Sequence, residues 1–413
     1  MSTQYRIGHL GAQGDGIANT ERGPVFIPFT LPGETVTAAV NKDRGELIAI
    51  QEPAANRVEP PCRHFGTCGG CQLQHMAMPD YLAWKRNKVV QALKSQRLEP
   101  EVQDIIPCEP HSRRRVTFAL RKVEAGMLLG YNRHLSHEIV DIMECPISVP
   151  PIVEALESLR AVARLSCSTN KPFRMTVTAT ASGLDVALLE SGKLDDAARK
   201  TIADFALANR FARVSVDGEV IVEPTKPQVS MGESVVTVPP GGFLQAVASA
   251  EDAMARLVLD HVGKAKRVAD LFAGSGAFSL RLAARSEVHA VEGDAAPLAA
   301  LDRAFRFTPG LKRVTTEKRD LFERPLTTKE LDKFDAVVFD PPRAGAEFLC
   351  KQLAKSQVPK VAAVSCNPLT LARDLAILTA GGYRITSVTP VDQFLWSSHV
   401  ESVALLEKLR KRR

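Results

Sequence analysis

From about residue 250 the chain alternates short apolar runs with amphipathic ones. Residues 267–272, 288–292, 334–340, 358–366, 383–390 and 399–406 read as strands, with 277–284 and 295–305 as helices between the first of them. Strands alternating with helices predict a mostly parallel, doubly wound α/β sheet. Ligands of such sheets collect at the carboxyl ends of the strands. Residues 1–60 have another texture. Their short β-runs, such as Gly23-Pro24-Val25-Phe26-Ile27 and Gly33-Glu34-Thr35-Val36, are punctuated by Gly and Pro and predict a small barrel. Between the two regions lie a cysteine-rich knot at 62–71 and a helix with Tyr81, Trp84 and Val89 on its apolar side. From about 105 to 240 strands and helices mix, and 175–180 is expected to pair with 184–189.

A length of 413 residues exceeds one ordinary core, so two or three domains are expected. With 45% apolar and 24% charged residues the chain has the composition of a soluble globular protein. No run approaches the roughly 20 apolar residues of a membrane span. The start, Met1-Ser2-Thr3-Gln4-Tyr5-Arg6, leads into no apolar export signal, so the expected compartment is the reducing cytoplasm. The net charge of +6 is modest but clustered, in Arg113-Arg114-Arg115, Arg121-Lys122 and the terminal run from Lys408 to Arg413. Such clusters can contact phosphates through counterion release, although a terminal run is as readily a solvated tail.

The chemistry-bearing motifs fall at the predicted strand ends. Asp270-Leu271-Phe272-Ala273-Gly274-Ser275-Gly276 closes the first strand, and its glycines permit a tight turn that a ligand can approach. Glu292, 16 residues after Gly276, closes the second, where a carboxylate can accept both hydroxyls of a ribose. A dinucleotide fingerprint would need Gly or Ala at Ser279, so an adenosine without a diphosphate fits better. Asp340-Pro341-Pro342-Arg343 ends the strand at 334–340 in a loop that prolines keep out of the ladder. Ser365-Cys366-Asn367-Pro368 places a cysteine where a strand gives way to a helix opened by proline. The helix dipole there is expected to favour thiolate, preparing Cys366 as a nucleophile. Glu401, in His399-Val400-Glu401, is the candidate base if the last strand inserts beside the strand that Cys366 ends, the fifth of a methyltransferase-type sheet; His399 is the alternative, otherwise assigned to positioning.

Eight cysteines in a cytosolic chain point to metal or catalysis before disulfides. Cys62, Cys68 and Cys71 fall close together beside Gly69 and Gly70, and Cys145 in Glu144-Cys145-Pro146 completes a set of four. Four thiolates suit structural zinc or an iron–sulfur cluster, and spacing does not choose between them. Cys108, Cys167 and Cys350 lack partners at ligand spacing and are expected to be core or surface thiols.

Taken together, these residues resemble the RNA uracil-C5 methyltransferases that use S-adenosylmethionine, especially the iron–sulfur branch acting on 23S ribosomal RNA. The resemblance covers nearly the whole chain. It implies a Rossmann-like class I methyltransferase domain at 246–413, an OB-like RNA-binding TRAM barrel at 1–60, and a central α+β domain at 61–245 with the iron–sulfur site. Cys62, Cys68, Cys71 and Cys145 match the family's [4Fe–4S] ligands. Gln245 in Gly242-Phe243-Leu244-Gln245, Phe272, Gly274, Gly276, Glu292 and Asp340 match its cofactor positions, with Asp320 a further one. Cys366 matches the nucleophile and Glu401 the base. The implied chemistry is thiolate addition at uracil C6, methylation at C5 and removal of the C5 proton, on a uridine presented outside any stack. A monomer acting on RNA is expected. Two departures stand out: Ala277 replaces a usual asparagine, and Leu395-Trp396-Ser397-Ser398 replaces a proline–threonine pattern. The competing readings are a transfer RNA enzyme, a cytosine-C5 methyltransferase and a non-catalytic iron–sulfur RNA-binding protein. The second calls for a further cysteine beside the base, and the intact Cys366, Glu401 and glycine loop oppose the third.

Overall fold

The computed structural model describes residues 2–409, so Arg410 to Arg413 of the basic terminal run lie outside the described residues. At the amino end, β1 (Ser2–Arg6), β2 (His9–Leu10), β3 (Gly16–Thr20), β4 (Gly23–Ile27), β5 (Thr35–Asn41) and β6 (Arg44–Glu52) form a six-stranded sheet, ordered β1-β5-β6-β4-β3-β2. It encloses a small core of its own from Ile7, Ala18, Val25, Ile27, Val36 and Ala38. β1 and β6 escaped the sequence reading because charged and polar residues interrupt their apolar alternation.

Helix α1 (Met78–Ser95) has a proline in its first turn and Asp80 nearby, both suited to a helix N-terminus. Tyr81, Lys85, Val89 and Ala92 bury one face at spacings of three to four. Trp84, expected on that face, is only half-buried, and Lys85 occupies the core position. Its ammonium donates to Asp392 Oδ1 at 2.7 Å and to the Phe394 carbonyl at 2.9 Å, while the Tyr81 hydroxyl donates to Asp392 Oδ2 at 2.7 Å. Burial lowers the Lys85 pKa and the Asp392 charge opposes that shift. These bonds fasten α1 to residues 392–400, the approach to the last strand. Asp392→Ala would leave a buried cation unpaired and is expected to cost about 3–5 kcal/mol of stability. A denaturant titration showing a loss below about 1 kcal/mol would mean that Lys85 finds another partner.

The central region contains β7 (Arg115–Val123), β8 (Gly126–Asn132), β9 (Ile139–Asp141), α2 (Pro150–Glu154), α3 (Leu156–Leu165), β10 (Phe173–Thr180), β11 (Gly183–Leu189), α4 (Asp196–Ala208), β12 (Arg213–Val216) and β13 (Glu219–Val222). Its sheet runs β13-β12-β11-β10-β7-β8-β9, with the expected β10/β11 hairpin in register Thr180↔Gly183. Leu159 and Val162 of α3 and Ile202 and Ala206 of α4 close one core with that sheet. A hairpin, β14 (Gln228–Met231) and β15 (Ser234–Thr237), leads to the last region.

There, α5 (Ala248–Val262), β16 (Arg267–Leu271), α6 (Ser279–Leu282), β17 (Glu287–Glu292), α7 (Ala295–Arg306), β18 (Val314–Lys318), α8 (Thr328–Leu331), β19 (Ala336–Phe339), α9 (Glu347–Lys355), β20 (Lys360–Ser365), α10 (Pro368–Ala380), β21 (Tyr383–Val391) and β22 (Glu401–Lys408) follow in turn. The sheet order is β18-β17-β16-β19-β20-β22-β21, parallel except for β22, which is antiparallel to β20 and β21. The last strand therefore lies beside the fifth, as expected. Successive residues point to opposite faces. Val268, Val338, Ala362 and Val403 pack with α5, whereas Ala269, Val337, Ala363 and Ala404 pack with α9 and α10. The expected helix at 277–284 is reduced to the four residues of α6, because the glycine turn with its positive φ angles continues into it. β18 was not foreseen; it is an edge strand with Val314 its only buried residue. Among the described residues, no helix is long and apolar enough to cross a membrane.

Candidate active site

The carboxyl ends of β16, β17, β19 and β20 and the start of β22 open onto one cleft of about 750 Å³. Gln245, Phe272, Gly274, Glu292, Asp340, Cys366 and Glu401 all line it. Two other expected residues do not. Gly276 stands behind the wall at φ +100°, where an added Cβ would lie 2.9 Å from Leu301. Only glycine fits there, so it shapes the turn. Asp320 closes a local turn, its Oδ1 accepting from the Phe322 backbone N–H at 2.9 Å.

At one end, Glu292 Oε2 accepts from Gly274 N and Oε1 from Asp294 N, each at 2.9 Å. Both oxygens keep lone pairs, so the carboxylate is fixed yet able to receive hydroxyls. Phe272 adopts φ +61°, an uncommon conformation for a bulky residue. Ser279, the departure from a dinucleotide pattern, is buried and donates to Asp270 Oδ2 at 2.5 Å. Burial pushes Asp270 up to about 7, the Asp340 charge adding and the Ser279 bond opposing. Ala277 lines the same end.

At the other end, Asp340, Cys366 and Glu401 come together. Burial holds Asp340 well above the usual carboxylate range, with the Glu401 charge adding. Burial likewise raises Glu401 to about 7, opposed by a hydrogen bond from Gln393 and by Arg343. The expectation of a dipole-activated thiolate is corrected here. Asn367 is the N-cap of α10, its side chain accepting from Leu369 N at 3.1 Å, so Cys366 lies one residue outside the helix. Burial, then the Glu401 and Asp340 charges, raise the thiol to about 11 against the pull of Arg343. His399 lines the cleft beside Arg343, and burial lowers it to about 4, the Arg343 charge adding. A neutral imidazole of that acidity is a poor base.

Two groups in this cleft were missed from sequence. Arg343 lies in the proline loop, within 3.2 Å of His399 Nε2. Gln393 is 2% exposed and links Gln245 to Glu401, donating to Gln245 Oε1 and Glu401 Oε2 at 2.7 Å each. Its one sequence signal was the polar pair Asp392-Gln393 directly after an apolar strand.

The basic cluster 113–115 is mostly spent internally. Arg114 donates to the Gln245 carbonyl and to Glu251, and Arg115 holds the Gly241 and Gly242 carbonyls. Arg113 alone of the three has its guanidinium over the Phe394 ring, at 6.0 Å, in the cleft wall. Phe243 stands at the rim with 68% of its surface exposed. None of Leu395, Trp396, Ser397 and Ser398 lines the cleft. The Trp396 carbonyl accepts from Gln72 N and Leu73 N, joining the cysteine knot to the loop before Glu401.

Cys62, Cys68, Cys71 and Cys145 line one small cavity with Tyr131 and Gln74. All four are free thiols. The Tyr131 hydroxyl and Gln74 Oε1 in its wall are buried without a hydrogen-bond partner. Among the described residues, no three or more His, Cys, Asp or Glu side chains converge so as to hold a metal ion. A second cleft, of about 730 Å³, opens at the opposite edge of β16 and β17 and collects none of these motifs.

The family profile described as tRNA (Uracil-5-)-methyltransferase matches residues 309–409. An RNA methyltransferase of Mesorhizobium japonicum is 62% identical over all 413 residues and 100% of both chains. A 23S rRNA (uracil(1939)-C(5))-methyltransferase of Vibrio vulnificus is 32% identical over 98% of this chain and 96% of its own. The chain belongs to the RNA uracil-C5 methyltransferase family. In fold, this uracil-C5 methyltransferase is similar to the Pyrococcus abyssi tRNA (uracil-54, C5)-methyltransferase solved with S-adenosyl-L-homocysteine. The TM-score is 0.76 at 24% identity, over 98% of this chain and 99% of that one. The match extends through the amino-terminal sheet and the central region as well as the doubly wound sheet.

Proposed function

We propose that this enzyme methylates C5 of a uridine in 23S ribosomal RNA, with S-adenosylmethionine as donor, through a covalent bond between Cys366 Sγ and uracil C6. The observation that carries the reading is the meeting of Cys366, Glu401 and Asp340 at adjoining strand ends in the cleft that also holds Glu292 and the glycine turn. The choice of ribosomal RNA rests on the full-length likeness to the Vibrio enzyme. A monomer acting on RNA is part of this proposal.

S-adenosylmethionine, when bound, supplies an electrophilic methyl group on a positively charged sulfur. Glu292 is placed to hold the ribose hydroxyls beside Gly274, and Phe272 and Gln245 line the same cleft. Exposed Phe243 offers a flipped base a stacking face at the cleft mouth. As the Sγ–C6 bond forms, the thiol proton leaves to solvent and the C5=C6 electron pair moves toward O4. Burial shifts Asp340 toward its protonated form, in which a carboxyl can donate a hydrogen bond to that oxygen. C5 then takes the methyl group. Glu401 removes the C5 proton, the double bond re-forms, and Cys366 leaves.

The direct test incubates the purified enzyme with labelled methyl donor and unmodified 23S ribosomal or transfer RNA, then separates nucleosides by mass spectrometry. Label in 5-methyluridine of 23S RNA is expected. Label only in transfer RNA would refute the substrate, and 5-methylcytidine or no label would refute the reaction.

The four cysteines are proposed to bind a [4Fe–4S] cluster. They line one cavity, and four thiols can hold either zinc or a cluster; the choice of the cluster rests on the family resemblance of these four positions. The unpartnered Tyr131 hydroxyl and Gln74 oxygen leave hydrogen-bonding capacity in the cavity wall. Anaerobically purified protein is expected to be brown with about four irons per chain. Colourless protein with one zinc would overturn the assignment.

A further inference from the structure

We infer that Gln393 is a positioning residue for methyl transfer, holding the Glu401 carboxylate and the Gln245 amide in one register so that the base and the cofactor end of the cleft are set together. The inference rests on the reading of Glu401 as the base.

Direction in this chain of bonds is fixed by one backbone group. Gln393 Oε1 accepts from Ala246 N at 3.1 Å, and a backbone N–H can only donate. The carboxamide nitrogen must then face the two acceptors, Gln245 Oε1 and Glu401 Oε2, at 2.7 Å each. With its oxygen so occupied, Gln245 turns Nε2 to Asp340 Oδ2 at 3.0 Å. Two amides and two carboxyl groups are thus ordered in series. They come from four places in the fold: before α5, the end of β19, after β21 and the start of β22. Rotation of the Gln393 amide would set its oxygen against Gln245 Oε1 and Glu401 Oε2, so that link is stiff.

The groups facing Glu401 are Asp340 beyond β19, Arg343 in the proline loop, Cys366 beyond β20 and Gln393 itself. Burial raises the Glu401 pKa to about 7, and the Gln393 hydrogen bond is the first influence that opposes it. Loss of that bond raises the pKa further. More of the base is then protonated at neutral pH, and the acid limb of the rate profile moves upward. Gln245 simultaneously loses its anchor at the cofactor end.

Gln393→Met keeps length and volume and removes both polar atoms. The pH profile of kcat should show its acid limb displaced upward by about one unit, a roughly tenfold loss at low pH that recovers in alkali. Affinity for S-adenosylhomocysteine, measured by calorimetry without RNA, should fall several-fold. A packing role alone would lower kcat in equal proportion at every pH. Gln393→Glu, which keeps an acceptor for Ala246 N–H, is the second variant should the first fold poorly, and its limb should move the same way. An acid limb that stays in place in a folded variant, while Glu401→Gln stalls, would overturn this inference alone. Normal turnover by Glu401→Gln would overturn the reading of the base and the inference with it.

Discussion

Cys366→Ala enzyme is expected to bind its cofactor normally and to transfer no methyl group, a loss on the order of 10⁴-fold or more. No other thiol can substitute. Cys108 and Cys350 are buried in cores, and the remaining cysteines lie in the knot or the central region, outside the cleft. The resting thiol, at about 11, is protonated at neutral pH. Its activation therefore belongs to the complex, in which proton loss accompanies attack on C6. Alkylation of the free enzyme at Cys366 should accordingly be slow at pH 7 and quicken toward pH 11. RNA containing 5-fluorouridine should trap the unmutated enzyme, because fluorine at C5 cannot depart as a proton does. A denaturing gel would show a protein–RNA band with the native enzyme and none with the alanine variant. Appreciable methylation by Cys366→Ala, or rapid alkylation at pH 7, would defeat this account.

The doubly wound sheet was legible because burial on both faces leaves Ala336 to Phe339 and Lys360 to Val364 as nearly unbroken apolar runs. The turn at Gly274 was legible because its backbone angle suits glycine, and Pro368 marked a helix start for a similarly local reason. What escaped depends on distant partners. Lys85 reads as a surface residue until Asp392, 307 positions later, is packed against it. Gln393 has no motif of its own, since its role lies in bonds to residues 245, 246 and 401. The same holds for the arginine cluster, whose charge was visible but whose use by the Gly241, Gly242 and Gln245 carbonyls was not. The sign of the Cys366 shift was misjudged for a related reason. A local dipole argument omitted the burial of the thiol and, after it, two carboxyl groups that only the sheet order brings there.

Glu401→Gln enzyme is expected to complete the first methylation and then stall with methylated RNA covalently attached. Glutamine preserves shape, and its oxygen can still accept from Gln393, so the series of bonds through Gln245 survives. What disappears is the proton acceptor. His399 is the other candidate base, but at about 4 it is some three units weaker than Glu401 at about 7, or roughly 10³-fold in proton affinity. Turnover should drop by about 10²–10⁴-fold, the range for loss of a positioned general base. In the native enzyme, release of RNA should accelerate as pH rises through about 7, because the carboxylate form removes the proton. In the variant that dependence should vanish. Labelled methyl carried in the slow band of a denaturing gel would establish that Glu401 acts after transfer. A variant that forms no adduct at all would place Glu401 earlier, as acceptor of the Cys366 proton, and normal release would remove it from the mechanism.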